Sequence, residues 1–100
     1  MSRDLAVAPL QCRLVNWGNA SRGAYDPVDA ARITQAWRTL PPRQRDMLRM
    51  VYLWHADREV VCRRLHIPRR SAHRFELELA AAHAGLGRAL QGDAQDHGGR

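Results

Sequence analysis

Apolar residues recur along this chain at spacings of three and four positions, and they do not alternate as in a strand. Stretches rich in proline or glycine interrupt the pattern at 21–27, 40–42, 66–68 and 92–100. The pattern therefore predicts an all-α fold, a small bundle of about five helices with a helix-turn-helix near its C-terminal end.

Three helices are predicted before residue 55. The first covers about 9–17. The second begins after an Asp26 N-cap, with Pro27 in its first position and Asp29 in its first turn, and the third covers about 42–54. Their predicted inner faces are Leu10, Leu14 and Trp17, then Val28, Ile33, Trp37 and Leu40, then Met47, Leu48, Val51 and Tyr52.

Two further helices are predicted on either side of the short stretch "HIP" at 66–68. The fourth has an Asp57 N-cap and ends at Leu65, and the fifth begins at Pro68. Their predicted inner faces are Val60, Val61 and Leu65, then Ala72, Phe75, Leu79, Ala82, Leu86 and Leu90.

The chain is interpreted as one helical domain over 1–90. The N-terminal helices occupy 9–39 and the helix-turn-helix part occupies 40–90. Residues 91–100 have no apolar stripe and are expected to form a disordered tail.

Composition adds a strong positive charge to this helical pattern. The 100 residues carry a net charge of +6, and all 16 basic residues are arginine. Such an excess favours polyanionic partners, and arginine forks onto phosphate and guanine edges in a way that lysine does not. An arginine-only composition also follows from a GC-rich genome, so composition alone does not identify DNA.

The expected compartment follows from features that the sequence lacks. It has no long apolar run, and its start is too charged for a signal peptide. Cys12 and Cys62 form no disulfide framework. We therefore expect a protein of a reducing cytoplasm with no membrane contact.

The predicted fifth helix separates basic from apolar residues. If it begins at Pro68, an apolar stripe that includes Phe75 faces inward and the basic side chains face outward. A recognition helix in the major groove needs this separation, whereas the alternative is a merely solvated charged face. The candidate DNA-binding residues are Arg69, Arg70, Ser71, His73 and Arg74.

Residues 40–79 resemble the region-4 helix-turn-helix of bacterial sigma factors. The stretch "LPPRQRDMLRMVY" is similar to that family's "LPxRxRxxLxLxY", and "DREVVCRRLHIPRRSAHRFE" is similar to its "sxxEIAxxLGISxxxVxxxl". Cys62 stands where close helix packing requires a small residue. His66 replaces the usual turn glycine and so has to accept a positive φ. Pro68 replaces the serine cap and Ala72 the usual valine, so the family's base contacts are not carried over.

The whole-chain layout resembles that of phage late-gene antiterminators of the Q type, which carry a sigma-region-4-like domain. The resemblance covers about 14–90 and rests on "LVNWG", "DAARITQAW" and the sigma-like block. It implies a DNA-bound factor that loads onto RNA polymerase, with or without a sigma factor, near a promoter and allows terminator readthrough. Antitermination, activation and inhibition all stay open, as do the DNA target and the oligomeric state.

Other residues carry weaker functional signals. Cys62 and His66, with His55 and His73 nearby in sequence, lack the regular spacing of a zinc site, and no catalytic set is evident, so we expect no metal, cofactor or enzymatic activity. Trp54 is the one tryptophan expected to be exposed, where it would serve a protein partner.

Two rival functions use the same helices. A terminase small subunit, which packages phage DNA, also contains a small helix-turn-helix, but it needs an oligomerisation segment, and little follows residue 80. A sigma-mimicking inhibitor would bind RNA polymerase without reading DNA, and its arginine face would be dispensable.

Overall fold

Five α-helices and one π-helical segment make up the part of the chain that the computed structural model describes, namely 8–20, 25–70 and 72–98, with side chains at all of these except 72 and 93–98. No strand occurs in these ranges, so the predicted all-α fold class is confirmed. The helices are α1 (Leu10–Trp17), α2 (Pro27–Trp37), α3 (Pro42–Leu48), α4 (Arg58–Leu65) and α5 (Ala72–Gly98), and the π-helical segment (Arg49–Leu53) directly continues α3.

The start of α2 follows the predicted capping chemistry. The Asp26 carboxylate accepts hydrogen bonds from the backbone N–H groups of Val28 at 3.0 Å and Asp29 at 3.2 Å, and Pro27 takes the first helical position. The amide side chain of Asn16, on α1, exchanges two hydrogen bonds with the Asp26 backbone, at 2.8 and 2.9 Å. The end of α1 is thereby attached to the beginning of α2.

An ion pair between Arg13 and Asp29 lies buried between α1 and α2. Nε of Arg13 donates to both carboxylate oxygens at 3.0 and 3.2 Å, and one terminal nitrogen lies 2.8 Å from Oδ1. The sequence assigned Asp29 only a favourable charge in the first turn of α2. Its main contact is with a residue sixteen positions earlier, which periodicity does not reveal.

The "NWG" stretch packs against the π-helical segment. Trp17 is buried, and its indole N–H donates to the Thr34 hydroxyl at 3.0 Å. Gly18 lies so close to the Tyr52 carbonyl that a Cβ at this position would overlap the oxygen. Only glycine allows this approach of the two backbones.

The core joins all the helices and contains most of the predicted inner-face residues. Val28 is a correction, because it is 62% exposed on the outer side of α2 while Asp29 and Ala30 turn inward. Trp37, Val51, Val60, Leu79 and Leu90 are partly buried. The buried members of the predicted faces are Leu14, Trp17, Ile33, Leu40, Met47, Leu48, Tyr52, Val61, Leu65, Phe75, Ala82 and Leu86.

Both ends of α5 differ from the prediction. The helix begins at Ala72 rather than Pro68, because Arg69 and Arg70 form a turn between the buried Ile67 and the helix. It continues to Gly98, whereas the sequence predicted a disordered tail from residue 91. No proline follows residue 68, and each added residue of a helix gains a backbone hydrogen bond.

Candidate nucleic-acid interface

The connection between α4 and α5 places the basic residues at the surface. α4 ends at Leu65 and is capped by His66, whose backbone is left-handed with φ 58° and ψ 40°, as its place in the turn predicted. The next N–H, of Ile67, donates to the Cys62 carbonyl at 2.8 Å and closes the helix end. Cys62 is buried, which agrees with its predicted role as a small packed residue.

The predicted separation of apolar and basic faces is present, but only two of the basic residues are helical. Phe75 is 8% exposed, while His73 and Arg74 in the first turn of α5 are exposed. Arg69 and Arg70 are exposed in the turn before the helix, not on it as predicted. We call Arg69, Arg70, His73 and Arg74 the basic cluster. Ser71, the fifth candidate, lies outside the described residues, as does the side chain of Ala72.

Two members of the basic cluster contact carboxylates. Arg69 lies 3.5 Å from Glu59 of α4, and Arg74 lies 3.7 Å from Glu78, one turn further along α5. Both arginines are largely exposed, and exposed ion pairs contribute only about 0–1 kcal/mol. A phosphate can therefore displace these carboxylates at little cost.

Arg70 and His73 are the members best placed for a nucleic acid. Both are exposed, and neither contacts a carboxylate among the described residues. Because these groups are open to solvent, a phosphate or a base edge can be bound there without displacing a carboxylate of the described residues.

The orientation of α5 is fixed by contacts that sequence reasoning missed. Arg43 of α3 donates two hydrogen bonds to Glu78, at 2.7 and 3.0 Å. These bonds hold the pKa of the Glu78 carboxyl below its usual range and raise the pKa of Arg43. The two residues are 35 positions apart, and no local spacing signals their contact.

A second contact joins the beginnings of α4 and α5. The Arg58 guanidinium lies 4.7 Å from the centre of the Phe75 ring, and one of its nitrogens lies 3.3 Å from Glu76. Arg58 thus covers the ring that anchors α5 in the core. The sequence had assigned Arg58 no role.

Trp54 is exposed, as predicted, and lies apart from the basic cluster. It is 52% exposed, and the Arg64 guanidinium of α4 lies 5.5 Å from its ring centre. Glu59, which contacts Arg69, is five residues before Arg64 and so points about 140° away around the helix axis. The basic cluster and Trp54 therefore flank different sides of α4.

The described residues contain neither a metal-binding cluster nor a membrane-spanning helix. These contain no group of three or more His, Cys, Asp or Glu side chains that could hold a metal ion. None of their helices is both long enough and apolar enough to cross a membrane. In comparisons with known proteins, no family model, no curated protein and no solved structure matches this chain.

Proposed function

We propose that this protein is a sequence-specific double-stranded DNA-binding transcription regulator. The main support for this proposal is the basic cluster. It is exposed around the start of a helix whose opposite side is held in the core by Phe75. A helix that presents its N-terminal residues in this way suits the major groove, with the arginines of the preceding turn near the phosphates.

The proposal also names the step of transcription that the protein controls, which is termination. On the resemblance to Q-type antiterminators, it acts in a bacterial host as a phage antitermination factor, which loads onto RNA polymerase near a promoter and allows terminator readthrough. The left-handed His66 and the buried Cys62 agree with the sigma-like spacing on which the resemblance rests.

The test has two stages. Repeated selection of bound duplexes from a random DNA library should enrich a common sequence if the protein reads bases, and no enrichment would contradict sequence-specific binding. Transcription by purified RNA polymerase from a template that carries this sequence and a terminator is then scored with and without the protein. Increased readthrough supports antitermination, whereas reduced initiation supports the inhibitor function.

The sigma-mimicking inhibitor is the second candidate, and the carboxylates of the same surface favour it. Glu59, Glu76 and Glu78 all contact arginines of the α4–α5 surface. They lower the positive potential that DNA would meet. In this alternative, Arg70→Ala leaves the effect on polymerase unchanged.

The packaging function also stays a proposal. The sequence argued against it because little follows residue 80, but α5 continues to Gly98 and offers a helix on which copies could associate. A terminase small subunit is expected to form a ring, so sedimentation of the protein as a monomer would exclude this alternative.

A further inference from the structure

Two neighbouring apolar residues, Leu53 and Trp54, are exposed where the π-helical segment ends. Leu53 is 39% and Trp54 52% exposed, whereas the other two tryptophans of the chain are buried or half-buried. We call these two residues, together with Arg49 and Arg64, the Trp54 surface. Adjacent exposed apolar residues next to charged ones are typical of protein-binding sites.

A depression of about 270 Å³ is lined in part by Trp54, Arg49 and Arg64 of this surface. Its apolar lining comes from Met50 and Leu65, which are buried, and from the Trp54 ring, while Asp46 and the two arginines form the polar part. The volume lies below the usual range of small-molecule sites, which is about 300–1,000 Å³. This size suits a single large side chain better than a cofactor.

The charges of this surface favour an acidic occupant. Arg64 contacts the Trp54 ring and, among the described residues, no carboxylate. Arg49 lies 4.0 Å from Asp46, the outer limit of an ion pair, and both groups are substantially exposed. Two guanidiniums therefore face one weakly engaged carboxylate, which leaves an unmatched positive charge beside the depression.

Contacts with Gly18, at the end of α1, hold the backbone on both sides of Trp54 in place. His55, the next residue, has a left-handed backbone with φ 53°. Its Nε2 lies 3.0 Å from the Gly18 carbonyl, which only accepts, so this nitrogen carries the proton. Gly18 itself packs against the Tyr52 carbonyl. π-Helical segments are frequent at functional sites, and a backbone held by these contacts needs little further ordering when a partner binds.

We propose that the Trp54 surface binds an acidic segment of a protein partner, which inserts one large apolar side chain between Trp54 and Leu65 and pairs its carboxylates with Arg49 and Arg64. This inference specifies the chemical character of the protein partner that the proposed function requires. It depends on the proposed function only for the existence of such a partner. Because the surface lies on a different side of α4 from the basic cluster, both can be occupied at once.

The test measures fluorescence anisotropy of labelled synthetic peptides with the full-length protein. The first peptide has glutamates flanking a central Leu-Phe pair, the second has lysine at each glutamate position, and the third has serine in place of the two apolar residues. The glutamate peptide should bind, and both matched peptides should bind at least about tenfold more weakly. Equal binding of the lysine peptide, or no binding of the glutamate peptide up to about 1 mM, would overturn the proposal.

Variants locate the site on the protein. Trp54→Ala and Arg64→Glu should each weaken the glutamate peptide by about tenfold or more, and Arg64→Glu should improve the lysine peptide. Arg63→Glu is the matched control, because Arg63 is the neighbouring exposed residue of α4 and points about 100° away. Unfolding curves check that each variant folds, and a weakening by Arg63→Glu equal to that by Arg64→Glu would count against the site.

Duplex DNA titrations keep this inference separate from the proposed function. Arg70→Ala should lower DNA affinity and leave peptide affinity unchanged, while Trp54→Ala should do the reverse. Loss of DNA binding in Trp54→Ala, with peptide affinity intact, would assign this surface to nucleic acid and overturn the inference. Failure of every variant to change DNA binding would instead count against the proposed function and leave the peptide result standing.

Discussion

The α1–α2 region and the basic cluster both contain arginine–carboxylate pairs, but they use them in opposite ways. Arg13 and Asp29 are buried with three short contacts between them. Arg69 and Arg74 are exposed, and their carboxylates lie at 3.5 and 3.7 Å. Burial makes the first pair a structural element that no ligand can reach, whereas exposure leaves the second set exchangeable. Solvent access, and not arginine content, separates structural charge from charge that a partner can use.

The largest expected effect is that of removing the buried carboxylate. Asp29→Ala should lower the free energy of unfolding by about 3–5 kcal/mol, because the Arg13 guanidinium stays buried without its main counter-charge. Urea unfolding at neutral pH measures it. Glu59→Ala, which removes the carboxylate of an exposed pair, should cost under about 1 kcal/mol.

The double substitution Arg13→Met with Asp29→Leu sharpens this comparison. It should recover much of the lost stability, since a buried pair replaced by apolar groups often costs little. If Asp29→Ala and Glu59→Ala were equally mild, the contrast between the two regions would be wrong.

The next effect concerns the apolar anchor of the basic surface. Phe75→Ala should lower the free energy of unfolding by about 3 kcal/mol, because the ring is buried and covered by Arg58. Leu77→Ala is the control on the same helix, and it should change stability by under about 0.5 kcal/mol because Leu77 is exposed. An unchanged melting temperature for Phe75→Ala would contradict the described packing of α5.

A smaller effect is expected for the exposed charges. Arg70→Ala should weaken specific DNA binding by roughly tenfold to a hundredfold, or about 1–3 kcal/mol, if Arg70 contacts a base. A phosphate contact would instead reduce the salt slope of the affinity by about one. Titrations at two salt concentrations distinguish these outcomes. Arg32→Ala, at an exposed position of α2, should change little, and parental affinity for Arg70→Ala at both salts would favour the inhibitor function.

The smallest effect is a pH dependence at the junction of α1, the π-helical segment and α5. The Tyr52 hydroxyl lies 2.8 Å from His83 Nε2 and donates toward Gln11 Oε1 at 3.2 Å, and burial lowers the pKa of His83. In the unfolded chain a histidine has a pKa of about 6.5, so His83 takes up a proton at a higher pH there than in the folded protein.

Stability should therefore fall as the pH drops below about 6.5, by less than about 1.4 kcal/mol per pH unit from this residue. The free energy of unfolding of the parent and of His83→Gln is measured in urea from pH 7.5 to about 5. The difference between the two gives the contribution of His83. A His83→Gln curve that runs parallel to the parental curve would remove His83 from this role.

Local chemistry within a few residues was enough to predict several features. The Asp26 cap with Pro27, the apolar stripe that includes Phe75, and the positive φ of His66 each depend on neighbouring positions, and each is present. The candidate DNA-binding residues also came from local spacing, and the exposure of four of the five agrees with it. The error in the start of α5 arose because a proline is acceptable in a first helical turn, so the sequence alone did not require the turn that precedes Ala72.

Tertiary structure decided which elements meet. The pairing of Arg13 with Asp29, the bidentate contact of Arg43 with Glu78, and the exposure of Val28 all depend on how helices distant in sequence are placed. The spacing of apolar residues indicates which side of a helix is apolar. It does not indicate which other helix packs against that side, or over what length. The sequence by itself thus determined the order of the helices and which basic residues are exposed, and packing decided which charges are buried and which remain available to a partner.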